Sequence, residues 1–239
     1  MIKVKLRIVL TVFLGINAMC LNSCKDKGKT PKTFKLTKSE GVLDSLMNVA
    51  EQRPDDIIVL NSIAELALQN TDTGLAVHYL RQSLTVSPEQ TDAAIILAGI
   101  LQNQNDPSWE KIADQLIQGN DPIATSRGYF LKGVDWANKE KLKEAVDAFD
   151  RSISLNYSFT DPYIEKAIIL LEKNETEAAS SVLYTALELD RKSPDIHFLI
   201  GECWLKKKMP EKALPFYEET LKLEPEFVSA QKRIDEIKP

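Results

Sequence analysis

Glycine, cysteine and histidine are scarce in this chain of 239 residues, and each scarcity argues against a class of structure or chemistry. There are nine glycines, three cysteines and two histidines. Few glycines, no alternating run of valine, threonine and tyrosine, and abundant leucine, alanine, glutamate, lysine and isoleucine favour an all-α fold. The cysteines, Cys20, Cys24 and Cys203, have spacings that predict neither a disulfide framework nor a metal site.

A basic face is also missing from the main part of the chain. Residues 39–239 carry 21 basic and 34 acidic side chains, whereas residues 25–38 carry six lysines and one aspartate. Because neutralising phosphates requires a basic surface, the acidic body argues against nucleic acid as the main partner.

Recognisable catalytic motifs are lacking as well. The sequence contains no HExxH, no phosphate-binding glycine loop and no Gly-x-Ser-x-Gly. The two histidines, His78 and His197, are far apart, and nothing in the sequence places a base beside Cys203. We therefore expect no enzyme, no cofactor, no metal and no small-molecule substrate.

The first 24 residues have the pattern of an export signal. A basic start is followed by the apolar run IVLTVFLGI, residues 8–16, which is shorter than the roughly 20 residues of a membrane-spanning helix. The sequence LNSC, ending at Cys24, resembles the lipobox of bacterial lipoproteins. That resemblance implies a lipoprotein signal peptide at 1–23, a lipid on Cys24 and a Lys-rich tether at 24–38. The alternative is an ordinary secretory signal in which the cysteine is incidental.

A repeat of about 34 residues organises the rest of the chain. Small residues recur in phase at Ala64, Ala98, Gly133, Ala167 and Gly201, and prolines recur at Pro54, Pro88, Pro122 and Pro225. We predict one helical hairpin per unit, in which the small residue lets the helices approach closely. The proline, lacking an N–H, ends the second helix, and the aromatic of that helix packs into the next unit. Because one hairpin cannot bury its apolar face, the units must stack.

This pattern resembles the tetratricopeptide repeat (TPR) family. The matching residues are Tyr129, Gly133, Trp136, Ala145 and Phe149 in one repeat, and His197, Ile200, Gly201, Trp204, Ala213, Tyr217 and Pro225 in another. The resemblance implies an all-α solenoid of about five TPR hairpins with an N-terminal half-repeat helix and a C-terminal capping helix. The expected TPR domain is 39–239, with repeats near 57–90, 91–124, 126–159, 160–193 and 194–227 and a cap at 228–239.

The second repeat departs from the family pattern. Glu110 and Asp114 stand where alanine and an aromatic are expected. Its second helix is therefore expected to be shifted, with a different buried face. That face would consist of Trp109, Ile112, Ala113, Leu116 and Ile117.

Membership of this family would imply binding of a peptide or partner helix along a concave groove lined by first helices. The groove positions carried over to this sequence are Asn61, Glu65, Ile95, Phe130, Val134, Ile164, Ile168, Phe198 and Glu202, together with Gly99. Their apolar middle predicts an apolar or amphipathic partner segment. The alternative is that these side chains pack internally. His197 occupies the position of a family aromatic, which predicts packing rather than catalysis.

The combined sequence prediction is a non-catalytic interaction scaffold held in a bacterial cell envelope, at the outer membrane, by its lipid. Its partner would be a protein, and the scaffold would assist assembly of an envelope complex. The alternative is a permanent structural subunit of an outer-membrane assembly or secretion machine.

Overall fold

The computed structural model describes residues 38–238, and these form twelve α-helices and no strand. The helices are α1 (Lys38–Gln52), α2 (Ile57–Gln69), α3 (Thr73–Val86), α4 (Thr91–Asn103), α5 (Ser108–Gln118), α6 (Pro122–Asn138), α7 (Leu142–Leu155), α8 (Asp161–Glu172), α9 (Thr176–Leu189), α10 (Pro194–Lys206), α11 (Pro210–Leu223) and α12 (Val228–Ile237). The predicted all-α class is confirmed. The predicted signal peptide, the lipid on Cys24 and all but the last residue of the tether lie outside the described residues.

The chain divides into two compact units between Tyr79 and Leu80, within α3. In the first unit, α1 contacts α2. The buried face of α2 consists of Leu60, Ile63, Ala64 and Ala67. This spacing of three and four residues places them on one side of the helix, where they form the apolar stripe of an amphipathic helix.

The second unit is a stack of helical hairpins. The hairpins pair α4 with α5, α6 with α7, α8 with α9, and α10 with α11, and each second helix also contacts the first helix that follows it. Successive first helices touch each other as well: α4 contacts α6, α6 contacts α8, and α8 contacts α10. We call these four helices the inner row, because adjacent helices within a stack that touch directly present one continuous surface.

Two glycines of the first helices make room for aromatic rings. A Cβ added to Gly133 would lie 2.5 Å from Cε1 of Phe149, and one added to Gly201 would lie 2.5 Å from Cε1 of Tyr217. Both rings are fully buried. The predicted close approach is therefore present, and each ring fills the space beside the glycine of its own hairpin. Tyr217 also forms a buried cluster with Ala230 of α12, so this ring contacts the element that follows its hairpin as well, as predicted.

The in-phase prolines do not all end a helix. Pro54, Pro88 and Pro225 lie in the turns that follow α1, α3 and α11, as expected. Pro122 instead begins α6, after Asp121, whose carboxylate accepts a hydrogen bond from the backbone N–H of Ile123 at 3.0 Å. Proline is favoured in the first turn of a helix, where its missing N–H costs nothing. The first helix of that repeat thus starts four residues before the expected boundary at 126.

Each first helix ends at a residue with a left-handed backbone. These residues are Thr71, Asn105, Glu140, Asn174 and Lys208, with φ between 56° and 62°. In each case the N–H of the following residue returns to a carbonyl five positions earlier, for example Lys141 to Trp136 at 2.8 Å. This is the Schellman arrangement, in which glycine is the usual left-handed residue. None of the five is glycine, so the turn signal is weak in the sequence.

The second helix of the second repeat is shifted as expected. Trp109, Ala113 and Leu116 are buried in α5, and Ile112 and Ile117 are partly buried. The following helix approaches closely at Gly128, where an added Cβ would lie 2.8 Å from Cγ1 of Ile117. A small residue outside the repeat phase therefore compensates for the shift.

No helix within residues 38–238 is long and apolar enough to cross a membrane.

Candidate functional surface on the inner row

The predicted groove residues are distributed over both units. Asn61 and Glu65 lie on α2 in the first unit, where Glu65 is exposed and Asn61 is partly buried. The other predicted residues lie on the inner row of the second unit. Gly99 has nothing within 4 Å of the position that a Cβ would take, so the surface beside it is open.

Two of the inner-row residues are part of the core. Phe130 is 6% exposed and Val134 is 1% exposed. The ring of Phe130 lies 6.0 Å from that of Phe149 and 5.0 Å from that of Phe159, centroid to centroid. These side chains hold the hairpin of α6 and α7 together and are closed to a partner in this structure.

The remaining apolar groove residues are partly exposed. Ile95, Ile164, Ile168 and Phe198 each keep part of their surface accessible. Ile164, Ile168 and Phe198 also pack against the buried cluster of α8, α9 and α10. Phe198 in addition contacts Phe227, with ring centroids 5.0 Å apart. The apolar part of the surface is therefore a shallow strip over the core.

Glu202 is engaged by the C-terminal helix. Its carboxylate accepts hydrogen bonds from Nε and Nη2 of Arg233 on α12, at 2.7 and 2.8 Å. The hydroxyl of Tyr217 donates to the same carboxylate at 2.7 Å. With three charge-assisted donors, Glu202 fastens α12 to the last hairpin, and its oxygens are occupied.

A ladder of charged residues lies one helical turn before the apolar strip. Its members are Asp92, Arg127, Asp161 and Asp195, spaced 35, 34 and 34 residues apart on the four helices of the inner row. Nη1 of Arg127 lies 4.0 Å from Oδ2 of Asp161, and its guanidinium carbon lies 3.6 Å from the centre of the Phe159 ring. Burial lowers the pKa of Arg127, whereas Asp161 and Asp92 raise it. The ladder could have been found in the sequence by applying the 34-residue spacing to the positions three residues before Ile95, Phe130, Ile164 and Phe198.

Glu165 lies one turn beyond Asp161 on α8 and faces the same charges. Burial raises its pKa to about 8, and the carboxylates of Asp161 and Asp195 add to the rise. No cation contributes in the opposite direction. The neighbouring Lys166 pairs instead with Asp150 on α7. Among the described residues Glu165 has no hydrogen bond or ion pair. Glu165 is nevertheless partly exposed, and the buried side-chain atom without a hydrogen-bond partner in residues 38–238 is instead Nδ1 of His197.

Asp161 is held between opposing influences. Burial is the largest cause that raises its pKa, and Arg127 is the next influence and lowers it. Asp195 and Asp190 raise the pKa further. Arg127 thus acts on Asp161 and Asp92, whereas the charges that act on Glu165 are those of Asp161 and Asp195.

The remaining candidate reactive groups are packed. Nε2 of His197 lies 3.0 Å from the carbonyl oxygen of Arg191, and the His197 ring stacks near Phe216 at 6.2 Å. Cys203 is buried, and burial raises the pKa of its thiol to about 11, which keeps it in the unreactive thiol form. Within residues 38–238 no group of three or more histidine, cysteine, aspartate or glutamate side chains could hold a metal ion.

No protein-family model matches the chain. Among known proteins, human tetratricopeptide repeat protein 17 is 35% identical over 104 residues, which cover 43% of this chain and 9% of that protein. Human protein O-mannosyl-transferase TMTC3 is 32% identical over 78 residues, covering 33% and 8%. The chain therefore spans less than a tenth of the length of these relatives.

Solved structures match over most of the chain. Yeast Tom70 has a TM-score of 0.68 at 16% identity, covering 85% of this chain and 44% of Tom70. A TPR protein from Parabacteroides merdae has a TM-score of 0.67 at 15% identity, covering 84% and 78%. The chain has a TPR-like fold. PilW, a type IV pilus biogenesis factor, has a TM-score of 0.65 at 14% identity, covering 84% and 91%. Its fold resembles that of the chain along nearly its whole length.

Proposed function

We propose that this chain is a non-catalytic scaffold that binds a segment of a partner protein on the inner row of its TPR-like hairpins. The observation that carries the proposal is the surface of α4, α6, α8 and α10. It combines a strip of partly exposed apolar residues, Ile95, Ile164, Ile168 and Phe198, with a charged ladder one turn away. Amphipathic surfaces of this kind suit an extended or helical segment whose apolar residues cover the strip.

The proposal extends to location. The lipobox-like LNSC at residues 21–24 favours a lipid on Cys24 that anchors the scaffold in a bacterial envelope, at the outer membrane. Stable anchoring requires two or more acyl chains, because one chain gives only marginal binding. If the chain is a lipoprotein, Cys24→Ala moves it from the membrane fraction to the soluble fraction, whereas Cys20→Ala leaves it in place. Membrane association unaffected by Cys24→Ala would contradict the anchor.

Site-specific photo-crosslinking in intact cells tests the binding surface. A photo-reactive amino acid is placed at Ile95 or Ile164 on the inner row. The matched controls are Lys143 and Thr185, which are exposed on second helices. Substituting a partly exposed position avoids the overpacking that a change at buried Phe130 would cause.

The proposal predicts a discrete crosslinked protein from the inner positions and none from the controls. Crosslinks only from the second helices, or from no position at all, would contradict it. A partner that remains bound in stoichiometric amounts through detergent purification would make the chain a permanent subunit of a complex, the alternative form of the same scaffold role.

A further inference from the structure

Four lysines gather around Trp204 at the turn between α10 and α11. The sequence there, residues 204–212, is WLKKKMPEK, with one glutamate, whereas residues 39–239 as a whole carry 21 basic and 34 acidic side chains. Nζ of Lys207 lies 5.3 Å and Nζ of Lys212 lies 4.8 Å from the centre of the Trp204 ring. The prevailing sign of the charge is therefore reversed at this turn. We call the four residues, Lys206, Lys207, Lys208 and Lys212, the lysine cluster.

Three of the four lysines have no carboxylate partner in the described part of the chain. Nζ of Lys206 donates to an amide oxygen of the preceding hairpin at 2.9 Å, and Lys212 is held by the tryptophan ring. The side chain of Lys208, in the turn itself, is exposed and has no hydrogen bond or ion pair. Lys207 alone of the four meets a carboxylate, that of Glu177 at 3.8 Å. The cluster thus keeps cations available for an outside anion.

Helix dipoles do not account for the whole cluster. A lysine in the last turn of a helix is favourable, so Lys206 stabilises its own helix α10. Lys212 instead lies in the first turn of α11, which begins at Pro210. The positive end of the helix dipole disfavours a cation there, so the stability of α11 gives no reason for this lysine.

The hairpin of α6 and α7 shows that the repeat itself does not require these charges. Its tryptophan, Trp136, lies two repeats before Trp204 and occupies the equivalent position. At the positions of Lys208 and Lys212, however, that hairpin has glutamates, which are Glu140 and Glu144. The basic character therefore belongs to the hairpin of α10 and α11 alone among these two.

Aromatic rings border the lysine cluster on the side away from the inner row. Nε1 of Trp204 donates to the hydroxyl of Tyr184 on α9 at 3.3 Å, and the Tyr184 ring lies 6.4 Å from that of Phe216 on α11. All three residues keep part of their surface exposed. Trp204 follows Phe198 by six positions, about 240° around the helix, so it faces the second helices. Tryptophan and tyrosine are the aromatic residues that most often dominate protein interfaces.

The small extent of the cluster indicates which kind of anion it fits. An anionic membrane surface or a nucleic acid would reach beyond the four lysines over a body in which acids exceed bases, and would be repelled there. A short peptide segment contacts the cluster alone. Its carboxylates can pair with the ammonium groups, while an aromatic or aliphatic side chain beside them can cover the exposed parts of the rings.

We propose that the hairpin of α10 and α11 carries a second docking surface, which binds an acidic segment of a protein through Lys206, Lys208 and Lys212. An aromatic or aliphatic residue of that segment packs against Trp204. This surface goes beyond the binding on the inner row, because it lies on the other side of α10. A chain that binds on both sides can hold two segments at once.

Peptide selection on the full-length protein tests the proposal. A random peptide library displayed on phage is selected on the native protein and on two double substitutions. Lys208→Glu with Lys212→Glu introduces the residues that the hairpin of α6 and α7 has at the equivalent positions. The control, Lys141→Glu with Lys143→Glu, reverses two exposed lysines at the turn of that other hairpin. All four lysines are exposed, so both variants are expected to fold, and melting curves check this.

The proposal predicts a class of peptides that the native protein and the control select and that Lys208→Glu with Lys212→Glu does not. These peptides share aspartate or glutamate beside an aromatic or aliphatic residue. In calorimetry their affinity falls at least about tenfold on that variant, because the reversed charges repel them, and stays within about twofold on the control. Their affinity for the native protein also falls several-fold from about 0.05 M to about 0.5 M salt, because exposed charges are screened.

Three results would overturn the proposal. The first is that all three proteins select the same peptides, or that no peptide depends on Lys208 and Lys212. The second is a dependent class of peptides without acidic residues. The third is that vesicles of phosphatidylethanolamine and phosphatidylglycerol bind the native protein more strongly than the variant while no such peptide class is found, which would assign the cluster to a membrane. None of these results bears on the inner row, which the crosslinking experiment tests separately.

Discussion

The contact between α6 and α7 at Gly133 gives a quantitative test of the packing. Replacing Gly133 by alanine adds a methyl group at 2.5 Å from Cε1 of Phe149, a ring that is fully buried. Nonbonded carbon atoms attract at about 3.5–4.0 Å and repel strongly at shorter distances, so α6 and α7 must separate or the ring must turn. Overpacking of this kind costs about 1–3 kcal/mol. Alanine recovers up to about 1 kcal/mol of that cost through its higher helix propensity.

Gly133→Ala is therefore expected to lower the free energy of unfolding by about 1–2 kcal/mol. Gly201→Ala, whose added methyl group would meet the ring of Tyr217, is expected to lower it by a similar amount. Gly99 provides the matched control, because nothing lies within 4 Å of its added Cβ. Gly99→Ala is therefore expected to gain about 0.5–1 kcal/mol from helix propensity alone. The two substitutions are chemically identical and differ only in the space available.

Urea unfolding followed by circular dichroism at 222 nm measures the difference. A double substitution, Gly133→Ala with Phe149→Leu, should lose less stability than the sum of the two single substitutions, because the smaller side chain makes room for the methyl group. Equal stability of Gly133→Ala and Gly99→Ala would refute the packing argument. So would strict additivity of the double substitution.

Three further predictions concern the turns, the acidic face and the C-terminal helix. Glu140 has a φ of 59°. Glu140→Gly should therefore raise the free energy of unfolding by about 0.5–1 kcal/mol, whereas Glu140→Ala, which keeps a Cβ, should not. Equal effects of the two substitutions in urea unfolding would exclude backbone strain at this position. Because the folded-state pKa of Glu165 is raised to about 8, the folded protein holds its proton more tightly, and wild-type stability falls as pH rises from about 4.5 to 8. The unfolding midpoint of Glu165→Gln should fall less over that range, and a difference between the two proteins that is independent of pH would contradict the raised pKa. Arg233→Ala should cost about 1–3 kcal/mol of stability, because it leaves Glu202 half-buried and without its cation. Lys232→Ala removes an exposed ion pair with a distance of 4.0 Å and should change stability by less than about 0.5 kcal/mol. Equal losses for the two variants in thermal melts would show that the Arg233 pair is not what holds α12.

The repeat spacing predicted most of the fold because each unit contributes the same kind of contact. Gly133 and Gly201 could be identified as close-approach positions from their phase alone. What the phase does not specify is the partner of the aromatic ring, since a ring sixteen residues later can reach either its own hairpin or the next. Pro122 shows a second limit. A proline in phase is compatible with the end of one helix or the first turn of the next, and the Asp121 cap favours the latter.

The candidate surface was harder to predict than the fold. The family positions located the inner row, but exposure depends on how the rows pack, and Phe130 and Val134 lie in the core. The position of Glu165 between Asp161 and Asp195 depends on the contact between α8 and α10, which brings together residues 30 and 34 positions apart. A ladder with period 34 is visible in the sequence. That Glu165, beside this ladder, has no ion pair is known only once the hydrogen bonds and ion pairs of the folded chain are known.

A structure of the full-length protein with the partner segment that crosslinks to Ile164 would test the central claim most directly. The proposed function predicts that the segment lies along α4, α6, α8 and α10, with its apolar residues over the strip of Ile95, Ile164, Ile168 and Phe198. A segment seated on the second helices would contradict the account of the binding surface.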